Sequence, residues 1–170
     1  DTFDMDVATL HQGFLRMLRA RGGQLALRSR SMRIERKNGM WEVEVTGGAV
    51  LRALILVNAA GAWGDEVAAQ AGLAPIGLQP KRRTGVIINP EPWAVADWPA
   101  VMDCAGTWYC RAEARTRLMV SPADETPMDP QDIQPDERDV EIAIDRMQQA
   151  MDINVTRFER SWAGLRSFVA

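Results

Sequence analysis

Histidine, tyrosine and cysteine are nearly absent from these 170 residues, which hold one histidine, His11, one tyrosine, Tyr109, and two cysteines, Cys104 and Cys110. One histidine and two thiols make no zinc cluster, and two cysteines are too few for a disulfide framework. A single disulfide stays open, but a reduced, cytoplasmic protein is the expectation. No histidine neighbours Cys110 in sequence to activate it, so that thiol reads as a small packed side chain and not a nucleophile. Long apolar runs are also lacking. The longest covers residues 53–57, far below the roughly 20 residues of a membrane helix, so no membrane span is expected. Lysines and arginines are scattered, which argues against a nucleic-acid partner. Paired catalytic carboxylates, phosphate-binding P-loops, serine-nucleophile elbows and metal-binding helices are absent. The start, Asp1-Thr2-Phe3-Asp4, has no initiating Met and no leader pattern, and the expectation is a stretch trimmed from a longer chain at both ends.

What remains is an ordinary globular balance of 46% apolar and 25% charged residues with a net charge of -3, enough to build a core. Residues 6–21 predict a helix: Val7, Leu10, Phe14 and Leu18 recur at three- and four-residue spacing, with Asp6 as N-cap and Gly22-Gly23 as stop. His11 lies on or near that face and reads as structural. Strands are expected at 24–28, 31–36 and 40–46. Asn38-Gly39 marks a tight hairpin between the last two, and Gly47-Gly48 a second turn. Residues 50–57 do not alternate, which predicts a strand buried on both faces as in a parallel sheet. The chain then runs through Asn58-Ala59-Ala60-Gly61-Ala62-Trp63 into a short helix at 63–71. A strand is expected within 78–89, a hairpin at 107–111 and 117–121, and a loop over 122–135 that carries four prolines and the acids Asp124, Glu125, Asp129 and Asp132. Residues 137–151 predict an amphipathic helix with Val140, Ile144, Met147 and Met151 on one face, and a last strand is expected at 153–162.

Three places could carry chemistry. Small residues after an apolar strand, at Asn58-Ala59-Ala60-Gly61, let a flat ligand or a phosphate approach the backbone; a tight strand-to-helix turn without a ligand is the equal alternative. In Trp162-Ala163-Gly164-Leu165-Arg166, an arginine beside a glycine could present its fork to a carboxylate, or could be a surface arginine. Tyr109, in Thr107-Trp108-Tyr109-Cys110-Arg111, could bond a substrate through its hydroxyl or be a half-buried strand tyrosine.

The ordered set Asp4-Met5-Asp6-Val7 with its helix, Val57-Asn58-Ala59-Ala60-Gly61-Ala62-Trp63 and Trp162-Ala163-Gly164-Leu165-Arg166 resembles the D-amino-acid oxidase-like FAD oxidoreductases of the glycine oxidase and sarcosine oxidase type. Pro80-Lys81-Arg82-Arg83 and Tyr109 with Ser121-Pro122-Ala123-Asp124 add to the likeness, which spans nearly the whole chain. The resemblance implies an α/β (α+β) fold: residues 1–73 on the FAD-binding side, and residues 74–170 forming a mostly antiparallel substrate-binding sheet with packed helices. It implies a bacterial enzyme that oxidises an amine or amino acid by hydride transfer to FAD. By resemblance, Met32 faces the adenine end of FAD, Ala60 and Gly61 pass close to the cofactor, and Arg166 with Tyr109 binds the carboxylate of a small-molecule amine or acid substrate. The family's G-x-G-x-x-G loop is not in this sequence, so this stretch alone is expected not to retain FAD. A flavin dehydrogenase for a 2-hydroxy acid or glycerol phosphate, and a non-catalytic binding domain, are the alternatives.

Overall fold

The computed structural model describes residues 5–169; Asp4, with which the first family-like stretch begins, lies outside the described residues. The chain mixes α and β structure, and both its sheets are antiparallel. It divides into two compact units. One runs to Val57 and includes Gln70–Gly72; the other is Asn58–Ala69 with Leu73 onward.

In the first unit, helix α1 (Val7–Ala20) starts where Asp6 accepts the Thr9 N–H at 2.9 Å and stops at Gly22, whose φ is +77°. This is the expected cap chemistry. Strands β1 (Ser31–Lys37), β2 (Met40–Val45) and β3 (Val50–Ala53) form a meander in that order. Asn38 and Gly39 both have positive φ, as a two-residue hairpin turn of this hand requires. Ile34 and Val45 are its buried apolar residues.

Two expectations fail here. Residues 24–28 form no strand: Arg28 sits at φ +55° and Leu27 is exposed, with no ladder partner for the segment. Residues 50–57 are not a buried parallel strand. β3 pairs antiparallel with β2 through Trp41 and Ala53, ends at Ala53, and leaves Leu54, Ile55 and Val57 exposed. A parallel strand needs a second neighbour and a cover on each face, and the described residues supply neither.

The second unit places a turn and short helix α2 (Gly64–Gln70) ahead of a five-stranded sheet. Its strands are β4 (Leu78–Ile88), β5 (Val101–Met102), β6 (Tyr109–Glu113), β7 (Arg117–Ser121) and β8 (Phe158–Val169), in the order β5-β6-β7-β4-β8. The last strand begins later than the sequence predicts, because Ile153 is drawn into the core. Helix α3 (Glu137–Ala150) covers one face. Val140, Ala143 and Met147 pack on Val86, Ile88, Cys110, Leu118 and Val120. The side chains on this face alternate with those on the other, as the pleat demands. Arg146 of α3 donates to the carbonyls of Thr107 at 2.5 Å and Pro122 at 3.2 Å, tying the flanks of the β6–β7 hairpin to the helix. The Asp124 carboxylate accepts the N–H of Thr84 at 2.7 Å and its hydroxyl at 3.0 Å, so the proline- and acid-rich loop is pinned to β4. The sheet face away from α3 stays uncovered among the described residues, and its side chains make the site.

Candidate active site

Directly opposed residues of an antiparallel pair share a face. The register therefore fixes what the open face carries. On β4 and β8 the pairs are Lys81 with Arg166, Arg83 with Gly164 and Gly85 with Trp162. On β6 and β7 they are Tyr109 with Ser121 and Arg111 with Met119. Of these residues, Arg83, Gly85, Tyr109, Arg111, Trp162 and Arg166 are among those that border a concavity of about 410 Å³. The two residues expected to hold a substrate carboxylate, Tyr109 and Arg166, thus border the same concavity from β6 and β8, with Tyr109 level with Trp162 and Arg166 four residues further along β8.

The cations here are not alike. Arg83 donates from Nε to the Asp124 carbonyl at 3.0 Å and pairs with Glu125 at 3.1 Å. Glu125 also holds Lys81 at 2.8 Å; the hydrogen bond from Lys81 keeps the Glu125 carboxyl below the usual carboxylate range. Arg166 is exposed and has no acid or hydrogen-bond partner among the described residues. It faces Lys81 directly and Arg83 diagonally. Glu125 already compensates the charges of Lys81 and Arg83, which leaves Arg166 as the cation of the three without an acid.

The Ala60 and Gly61 turn is in the same unit. Asn58 Nδ2 donates to the Gly64 carbonyl at 2.8 Å, and Asn58 Oδ1 accepts from the Ala60 N–H at 3.2 Å. Gly61 has φ +56°, and no atom lies within 4 Å of where a Cβ would be at Gly61 or Gly164. A second concavity of about 600 Å³ is bordered by residues 60–63, 131–134 and 163–165. It shares Gly164 and Leu165 with the first. The small residues and open backbone on β8 fit the approach of a flat ring system such as a flavin. Met32 belongs to the other unit, where it is exposed on β1 at a register irregularity. Cys104 and Cys110 are both free thiols; burial pushes Cys110 up to about 11, so it is no nucleophile.

Sequence reasoning missed Arg83, Arg111, Trp162 and Gly85 as site residues. A signal was available: Arg160, Trp162, Gly164 and Arg166 alternate with Ser161, Ala163 and Leu165, a period-two pattern that places the four on one face.

Solved structures of an oxidase and of two dehydrogenases share this fold. Glycine oxidase from Geobacillus kaustophilus matches with a TM-score of 0.71 and 20% identity over 87% of this chain and 38% of its own. L-proline dehydrogenase from P. horikoshii matches at 0.77 and 20%, covering 92% of this chain and 42% of its own. Glycerol-3-phosphate dehydrogenase from Bacillus halodurans, solved with FAD, matches at 0.75 and 17%, covering 98% and 36%. The chain spans well under half the length of these structures. The FAD dependent oxidoreductase family model matches residues 1–170, and the chain belongs to that family, the D-amino-acid oxidase-like enzymes. No helix is long and apolar enough to cross a membrane among the described residues.

Proposed function

We propose that the chain supplies the substrate-binding sheet of a cytoplasmic enzyme that oxidises an amine or amino acid. The convergence of Tyr109 and the acid-free Arg166 on one concavity carries this reading. Arg166 takes the substrate carboxylate by its fork, and the Tyr109 hydroxyl completes the hold. Trp162 forms an apolar floor that excludes water beside the reacting carbon. FAD, when bound, supplies the hydride acceptor. Ala60 and Gly61 border its place, Met32 faces its adenine end, residues 1–73 serve the cofactor side, and residues 74–170 serve the substrate side. This stretch alone does not hold FAD, because it contains no glycine-rich phosphate loop to neutralise the diphosphate.

The second reading is a dehydrogenase for a 2-hydroxy acid or glycerol phosphate. It is favoured by the same cationic concavity, since a guanidinium fork also matches a phosphate, and by the likeness to a glycerol-3-phosphate dehydrogenase. A product assay on the parent enzyme separates them. Ammonia or a free amine accompanies substrate oxidation under the first reading; oxidation of hydroxy acids alone selects the second.

A further inference from the structure

Three cations share one corner of the open face. Lys81 stands directly across the ladder from Arg166, and Arg83 lies two residues further along β4. One acid, Glu125, serves two of them: one carboxylate oxygen holds Lys81 at 2.8 Å and the other holds Arg83 at 3.1 Å. Lys81 also lies over the Phe168 ring, 4.5 Å from its centre. Glu125 is kept in place by its neighbours in the chain, both of them bound to the backbone of β4. The Asp124 carboxylate accepts the Thr84 N–H at 2.7 Å, and the Thr126 carbonyl accepts the Arg82 N–H at 2.8 Å. The hydrogen bond from Lys81 holds the Glu125 carboxyl low, so the acid stays charged.

A guanidinium binds two oxygens of one ligand through adjacent N–H groups. On Arg83, Nε donates to the Asp124 carbonyl and Nη2 to Glu125, so that edge is already taken. Arg83 and Arg166 both border the concavity, but of these three cations Arg166 alone meets no acid among the described residues. One free fork matches a carboxylate, which has two oxygens and one charge. A phosphate dianion brings a third oxygen and a second charge, and an oxygen that turns toward Arg83 meets the Glu125 charge already seated there. A site rejects the wrong ligand by such repulsion as well as by attracting the right one.

We propose that Glu125 is a specificity-determining residue of this site: by occupying Lys81 and Arg83 it leaves one fork, that of Arg166, so that a carboxylate is accepted and a phosphate dianion is turned away. This rests on the reading of Arg166 as a carboxylate ligand, and it weighs for an amino acid over a glycerol phosphate.

The test titrates the flavin-loaded parent enzyme with acetate and with methylphosphonate, which differ only in the head group, at a pH where the phosphonate is a dianion. Binding is read from the flavin absorbance change and by calorimetry. The unaltered enzyme binds acetate more tightly. Glu125→Gln keeps the shape and removes the charge; it tightens methylphosphonate at least about tenfold more than it tightens acetate, the effect of one charge-assisted hydrogen bond. Glu125→Asp keeps the charge and retains the preference for acetate. Arg166→Met weakens acetate with or without Glu125→Gln. A preference for methylphosphonate in the unaltered enzyme, or equal gains for the two ligands in Glu125→Gln, overturns the inference while the Arg166 reading stands. Acetate binding that survives Arg166→Met, or no binding of either ligand, defeats the Arg166 reading, and the inference falls with it.

Discussion

Gly85 lies directly across the β4–β8 ladder from Trp162, and the indole occupies the space that a Cβ at position 85 would need: the nearest ring carbon is 2.6 Å from it. The neighbour in conflict is a large ring held by a strand, not a flexible side-chain tip. The flat floor of the concavity therefore depends on a missing side chain two strands from Tyr109. Gly85→Ala is expected to lift the indole out of place and to cost about 1–3 kcal/mol, the range for overpacking. Denaturant unfolding with tryptophan fluorescence checks both effects. An unchanged midpoint and unchanged emission would show that the ring has another resting place.

Two acids beside Arg82 should respond to mutation to very different degrees. Asp124 is buried and accepts two hydrogen bonds from Thr84, so Asp124→Ala strands a buried backbone N–H and hydroxyl and should cost about 3 kcal/mol. Asp139 also approaches Arg82, at 2.7 Å, but burial, followed by the nearby Asp124 charge, raises its carboxyl above the usual range. A raised folded value means that the charged form is disfavoured in the fold. The penalty is absent when the group is protonated and sets in as pH rises above about 4. Asp139→Asn removes it, so that variant should change stability by less than about 1 kcal/mol at neutral pH and compare best with the parent there. Urea unfolding of both variants at acid and neutral pH decides; a larger loss for Asp139→Asn than for Asp124→Ala would contradict the assignment.

Asp65 makes the converse case. Partial desolvation pushes its carboxyl up, but the N–H groups of Ile76, Leu78 and Gly77 together outweigh this and hold it below the usual range. A depressed folded value gives stability that is present above the ordinary carboxylate pKa and is lost as pH falls through the folded one. Asp65→Asn should therefore be clearly less stable than the parent at neutral pH, and the difference should shrink as the pH falls below about 4. A constant difference across that window would mean that Asp65 acts through shape and not charge.

Local chemistry was legible in the sequence wherever neighbours along the chain decide the outcome. Asp6 and Gly22 bound their helix, Asn38-Gly39 turns its hairpin, and Val140 and Met147 pack as their spacing requires. Reading failed where the outcome depends on what lies beside a segment. The apolar run after Val50 looks like a buried strand, yet its burial needs partners that no local pattern specifies. The site divides in the same way. Arg166 and Tyr109 were singled out as candidates in the sequence and given a role by the resemblance, and Trp162 shares the face of Arg166 by period-two alternation, whereas Arg83 joins them through a ladder between strands nearly half the chain apart, a pairing that periodicity alone does not reveal.

The central claim, that Arg166 grips the substrate acid, is tested most directly by anaerobic mixing of the flavin-loaded parent enzyme and its Arg166→Lys variant with a panel of amino acids while the oxidised flavin band is followed. Lysine keeps the charge and loses the fork. The account predicts that at least one amino acid bleaches the band and that the variant's second-order rate falls by roughly ten- to a hundredfold, equivalent to about 1.5–3 kcal/mol. Bleaching at the same rate in both proteins would contradict it.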